Sequence, residues 1–420
     1  MRVRLAYGRD GLDVELPDKR TTVIEPTFVP GLPDAEGAIR TALRNPLGTP
    51  PLRQVVKAHQ SVAISVCDIT RAMPSKTLLP IMLGELRHVP PENITILIAT
   101  GTHRANTNEE LKQMLGADIL KGYTIVNHDS FDNGSLETIG STQSGIEVRL
   151  NRRWVESDIR ITTGFVEPHL FAGFSGGPKM VAPGLAGFPT IMRLHDAKMI
   201  GSPNARFAIT EGNPIHDAIR EIARMSGVDF SVDVTTNRDQ RITSVYAGEL
   251  FAVHRAACAV AERLAMQPVD AAFDVVLTTN SGYPLDQNLY QAVKGMSAAA
   301  QVVRDGGRII CAAECLEGIP EHGQYRHILA ECDSPADVLR MVQQPGYARH
   351  DQWQAQVQAQ IQQKAAVYLK SRYLTPQQVK QAHITAIDDI EGTIADFGRD
   401  ASICVLPEGP QTIPFVAGGG

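Results

Sequence analysis

Short β-branched runs alternate with amphipathic stretches along this chain, and that alternation sets the first expectation about its fold. Residues 61–67 (Ser-Val-Ala-Ile-Ser-Val-Cys) read as a buried strand, 76–86 as a helix, and 94–99 as a second strand running into the loop Thr100-Gly-Thr-His103-Arg104. Residues 108–115 read as a helix capped by Asn108, and 158–163 as a third strand leading into another polar, glycine-rich loop. Strands alternating with helices predict an α/β fold with a partly parallel sheet, in which ligands gather beyond the C-terminal strand ends. All three loops fall there.

Further along, 213–225 is a helix with Asn213 as cap and Pro214 in its first turn, and 247–265 is a long helix ending before Pro268. A new αβ unit then opens with a strand over 273–279, a helix over 288–303 and a strand over 307–312. These patterns predict two α/β domains, 1–267 and 268–420, with an active-site cleft between them. The glutamine- and alanine-rich stretch 347–369 predicts a surface helix, and the closing residues 417–420 a frayed tail.

Composition narrows the class. A chain of 420 residues suits two domains, and 43% hydrophobic residues with 20% charged supply an ordinary globular core. The net charge of −6, with no basic stripe, argues against nucleic acid as a partner. The N-terminus lacks the apolar region of a signal peptide, and no stretch approaches the roughly 18 apolar residues of a membrane span. The six cysteines are scattered without a C-x-x-C pair, which fits reduced thiols and a cytoplasmic location. Cys311 and Cys315 lie close together but have no histidine partner, and packing accounts for them.

Unusual residues concentrate between Thr163 and His195: Pro168-His169, Gly173-Phe-Ser175-Gly176-Gly177-Pro-Lys179, and Arg193-Leu-His195. Glycines at 173, 176 and 177 let backbone approach a ligand, their N–H groups suit a phosphate, and Lys179 suits charge neutralisation or a covalent bond. A nucleotide P-loop is a poor match, because Pro178 stands where its second glycine belongs and Met180 where its magnesium hydroxyl belongs. Asp68-Ile-Thr-Arg71 follows a buried strand, so Arg71 suits bidentate capture of a carboxylate or a local pair with Asp68. Gln291 and Lys294 share one helix face beside Tyr290. His128 and His216, each next to an acid, read as structural or as supporting functional neighbours from behind. Inverting a stereocentre needs an acid–base on each face, and the loop histidines supply that pair.

Together these motifs resemble the lactate racemase family, from Asp68 to at least Lys294. The resemblance rests on Asp68-x-x-Arg71, Thr100-Gly-Thr-His103-Arg104, Pro168-His169 with Gly173 to Lys179, His195, and Tyr290-Gln291-x-x-Lys294. It implies racemisation or epimerisation of a 2-hydroxy acid by hydride transfer through a 2-keto acid. It implies a nickel-pincer nucleotide (a pyridinium bis-thiocarboxylic acid mononucleotide) joined to Lys179 in the N-terminal domain, with His195 completing the nickel. His103 and His169 are then the acid–bases. Arg71 and Lys294 hold the substrate carboxylate with Gln291 and Tyr290 nearby. Asp68 orients Arg71 or contacts the cofactor, and Ser175, Gly176 and Gly177 surround its phosphate. Separate maturation enzymes are implied as partners. Competing readings are a related dehydrogenase, a phosphate- or nucleotide-dependent transferase using the Gly173–Lys179 loop, and a non-catalytic cofactor-binding protein.

Overall fold

Val62–Cys67 is buried along its whole length, the mark of a strand covered on both faces rather than wetted at alternate positions. It pairs in parallel with Ile94–Ala99 on one side and Ile159–Phe165 on the other. Thr124–Asn127 extends this sheet beyond Ile94–Ala99, and Phe230–Thr236 extends it beyond Ile159–Phe165, both in parallel. Only the edge strand Ile242–Gly248 runs antiparallel. The computed structural model describes residues 1–321 and 323–417, so the glycine tail expected to fray lies outside the described residues.

The chain divides into two compact units, one comprising Phe28–His195 and Ser202–Arg263, the other Met1–Thr27, Asp196–Gly201 and the chain from Leu264 onward. In the first, Ile64, Ile96, Ile161 and Val232 from neighbouring strands pack with Leu79 and Met82 of the helix Ser75–Glu85. The helix from Asn108 starts where expected, but its cap is Thr107. That hydroxyl accepts from Glu110 N, and the Glu110 carboxylate accepts from Thr107 N, a reciprocal box that satisfies two otherwise unpaired donors. Pro214–Ser226 is capped by Asn213 as the sequence implies.

The second unit holds its own six-stranded sheet, ordered Thr385–Ala386, Ala366–Lys370, Val303–Ala312, Phe273–Thr279, Ile403–Leu406 and Thr21–Val23. Every pairing in it is parallel. A single cut near residue 267 therefore describes the chain incompletely. Thr21–Val23 joins this sheet beside Ile403–Leu406, and Leu5 and Val14 of the first hairpin pack with Leu277, Ile310 and Val405. Hydrogen bonding to Ile403–Leu406 and burial of these side chains bind the first residues to the C-terminal unit.

The glutamine-rich stretch also departs from expectation. It forms a helix only over Gln352–Lys364, and Gln352, Gln354, Gln356 and Gln358 are buried. Buried amides persist only when paired. Here Gln354 Nε2 donates to Tyr290 O at 2.6 Å, Gln356 Nε2 to Ala197 O at 2.8 Å, and Gln358 Nε2 to Ala382 O at 2.7 Å. The following residues form the strand Ala366–Lys370. All six cysteines are free, and among the described residues no helix is long and apolar enough to cross a membrane.

Gln358 also accepts from the buried Tyr325 hydroxyl. Gln358→Leu leaves that hydroxyl unpaired, while Ala382 O keeps its bond from Gln362. The expected loss is about 1–3 kcal/mol, read as a lower unfolding midpoint. An unchanged midpoint contradicts the pairing.

Candidate active site

Because the central strands of the first unit run in parallel, their loops open on one edge of the sheet. Val62–Cys67 delivers Asp68 and Arg71, Ile94–Ala99 delivers His103, and Ile159–Phe165 delivers His169. Asp68 and His103 meet directly, with Asp68 Oδ2 2.7 Å from His103 Nδ1. Asp68 Oδ1 accepts from the Thr70 hydroxyl at 2.6 Å. Burial alone pushes the Asp68 carboxyl up, but the hydrogen bond and charge of His103, with Arg71 and Thr70, outweigh it and hold the group below its ordinary value. The carboxylate thus fixes Nδ1 of His103 as the donor and leaves the lone pair on Nε2, with the ring partly exposed. The sequence suggested that Asp68 serves Arg71 or the cofactor. The structure hydrogen-bonds it to His103, and the Arg71 charge acts on it as well.

The second loop turns on Phe171. Its buried ring lies edge-on to His169 at a centroid distance of 4.6 Å and to His195 at 5.3 Å, with Lys179 Nζ 6.0 Å from its centre. His169 pairs with Gly173 in a short antiparallel ladder, and Ala172 N donates to His169 Nδ1 at 3.3 Å. That acceptor role places the neutral ring's proton on Nε2. His195 caps the end of Phe188–Leu194, and its Nδ1 lies 2.8 Å from Ile191 O. Burial first, and the Lys179 charge second, bring its pKa down to about 4, so the ring is neutral near pH 7 with its lone pair on Nε2.

The expected cradle of N–H groups for a phosphate is not formed by Ser175 and Gly177. Ser175 N donates to Glu167 O at 2.9 Å, and its hydroxyl to Phe165 O at 2.7 Å. Gly177 N donates inward to Asp233 Oδ1 at 3.1 Å. Positive φ at Gly176 and Gly177, 72° and 48°, turns this backbone toward the interior. These residues are framework for Lys179, which stands in the tight turn Gly177–Met180. Tyr290, Gln291 and Lys294 belong to the other unit, half-buried on the helix Leu289–Ala300. Within that unit Asn288 accepts from Gln291 N at 3.1 Å, and the Tyr290 hydroxyl accepts from Trp353 Nε1 at 3.0 Å.

A family model described as the lactate racemase N-terminal domain matches residues 7–208, and one described as the lactate racemase C-terminal domain matches 269–413. Lactate racemase of Thermoanaerobacterium thermosaccharolyticum is 34% identical over 421 residues, 98% of each chain. The chain belongs to the lactate racemase family. The enzyme of Lactiplantibacillus plantarum is 38% identical over 379 residues, spanning 88% of this chain and 89% of that one. The apoprotein structure of the T. thermosaccharolyticum racemase superposes with a TM-score of 0.92 at 33% identity, over 99% of this chain and 100% of that one. A Thermotoga maritima protein shares the fold at a TM-score of 0.73 and 19% identity, covering 93% of this chain and all of that one. This family member is accordingly an isomerase, a racemase.

Sequence reasoning missed Phe171, Asp233 and His254. A phenylalanine between His169 and Gly173 resembles any core residue, and Asp233 and His254 sit in an apolar strand and helix where only their burial without charge compensation is unusual. His216, expected to be structural, bonds Ala172 O through Nδ1 at 3.0 Å, and His128 bonds Ala186 O at 2.9 Å.

Burial lowers His216 to about 4 and His254 to about 3. Both folded values lie below the unfolded histidine value of about 6.5. The stability that depends on these neutral rings is therefore present above that value and is lost as pH falls through the folded values. Asp233, raised to about 7 by burial, acts with the opposite sign and loses its contribution as pH rises through that value. The unfolding midpoint of the wild type is expected to fall more steeply than that of His216→Phe between about pH 6.5 and 4. Parallel curves contradict the assignment.

Proposed function

We propose that this racemase inverts C2 of a 2-hydroxy acid, lactate or a larger relative, with His103 and His169 as its two acid–bases. The observation that carries the reading is their complementary preparation. Asp68 holds the neutral His103 ring with its proton on Nδ1 and Nε2 as the acceptor, whereas Ala172 N–H holds His169 with its proton on Nε2. One ring is set to take the hydroxyl proton and the other to return one, as inversion through a planar 2-keto acid requires. The carboxylate role of Arg71, Lys294, Gln291 and Tyr290 is proposed on the family resemblance, and Arg71 has the bidentate donor geometry for it.

The residues around Phe171 fit a nickel-pincer nucleotide. Lys179 would hold it covalently and His195 Nε2 would ligate the nickel, being a neutral imidazole whose other nitrogen is already bonded to Ile191 O. Among the described residues no group of three or more His, Cys, Asp or Glu side chains is placed to hold a metal, so the remaining ligands would come from the nucleotide. When bound, the group would accept and return the C2 hydride. The chain's own side chains then bind the carboxylate, move the O2 proton at Nε2 of His103 or His169, and exclude water around Phe171. Maturation enzymes would supply the group, and free cysteines fit a reducing cytoplasm.

Conversion of each lactate enantiomer into the other, without added NAD and without keto-acid accumulation, is the expected activity. Replacing His103 or His169 by Ala is expected to keep any Lys179 adduct and lower racemisation about 10²–10⁴-fold. Asp68→Asn is expected to act similarly by releasing the His103 tautomer. Full turnover in either histidine variant contradicts the two-base mechanism, and a strict NAD requirement favours a dehydrogenase.

A further inference from the structure

Behind the Lys179 loop lies a layer of polar side chains that bond to the loop's backbone, with Cys258 Sγ also 3.5 Å from His254 Nε2. His254 Nε2 lies 2.9 Å from Ser175 O, and His216 Nδ1 lies 3.0 Å from Ala172 O. Asn213 Nδ2 donates to Phe171 O at 2.9 Å, and Asp233 Oδ1 accepts from Gly177 N at 3.1 Å. All four side chains are buried, and the two imidazoles stack at 5.6 Å with 14° between their planes. Thus successive backbone groups of residues 171–177 are pinned from one side by groups from the strand Phe230–Thr236 and the helices Pro214–Ser226 and Leu250–Ala265.

Close packing shows how specific this support is. Asp233 lies opposite Gly164 in the sheet, and a Cβ on Gly164 would stand 2.2 Å from Asp233 Oδ1. Only glycine there leaves the carboxyl room to cross to Gly177. A Cβ on Gly177 would stand 2.4 Å from the His254 ring, so the loop backbone lies directly on that imidazole. Asp233 Oδ2 has no hydrogen-bond partner, which makes the residue a one-sided acceptor that an amide can replace.

The geometry points to His254, His216, Asp233 and Asn213 as positioning residues, a rigid backing that fixes the 171–177 backbone so that Lys179 is presented for covalent attachment beside Phe171. The inference rests on the proposed role of Lys179, but the rigidity of the loop is measurable without any cofactor. None of these side chains is assigned contact with substrate.

Amide hydrogen exchange of the apoprotein is the test, comparing wild type with His254→Phe, which keeps the ring volume and removes the donor, and His254→Gln, which restores one. In His254→Phe, exchange in the peptide spanning 171–177 is expected to rise about tenfold or more while the sheet peptides keep their protection, and His254→Gln is expected to recover most of it. After maturation, the Lys179-adduct fraction is expected to follow the same order. Should His254→Phe not fold, Asp233→Ala and Asp233→Asn give the same comparison, with the loop loosened in the first and held in the second. Unchanged loop exchange, or an equal rise across the whole unit, overturns the positioning role. An unmodified Lys179 in a racemising wild type overturns the attachment reading, while the exchange pattern still decides whether the loop is held.

Discussion

The parallel pairing of Val62–Cys67 with a strand on either side is the constraint from which the site follows. Parallel register sends the ends of Val62–Cys67, Ile94–Ala99 and Ile159–Phe165 to the same sheet edge. Residues far apart in the chain, Asp68 and His103, then come within 2.7 Å. The next strand outward, Phe230–Thr236, carries Asp233 beneath the loop that follows Ile159–Phe165. One sheet therefore supplies both the proposed acid–base groups at its edge and the support beneath them, and its burial on both faces leaves little freedom to shift register.

Around that edge, burial and hydrogen bonding decide proton locations more than net charge does. Asp68 remains a carboxylate despite its burial because His103, Arg71 and Thr70 favour the ionised form. His195, His216 and His254 are kept neutral by desolvation, and each has a ring nitrogen bonded to a backbone carbonyl oxygen. A neutral imidazole with one nitrogen so engaged has a defined tautomer, which a ligand or proton carrier needs and a solvated histidine lacks. Phe171 adds a dry surface shared by His169, His195 and Lys179.

Much of this was legible in the sequence where a pattern was local. The strand Phe273–Thr279, the Asn213-capped helix and the loops bearing His103 and His169 follow from periodicity and capping chemistry alone. The errors have a common cause in long-range pairing. A glutamine-rich segment looks solvated until distant carbonyls are found to satisfy its buried amides. The glycine-rich loop suggested outward N–H groups, but its φ angles and Asp233, 56 residues from Gly177, turn one of them inward. Asp68 was read against Arg71 or the cofactor, and its hydrogen bond to His103, 35 residues away, adds a partner that no local pattern shows. Thr21–Val23 joins the C-terminal sheet through a pairing that no local pattern announces.

We propose that Lys179 and His195 hold a nickel-bearing nucleotide beside His103 and His169. The most direct test is the mass of the Lys179 peptide together with the nickel content of protein matured alongside the cofactor's biosynthetic enzymes, in wild type and Lys179→Ala. The expected result is a covalent adduct on Lys179 with stoichiometric nickel, both absent from the variant. An unmodified Lys179 in protein that racemises a 2-hydroxy acid contradicts it.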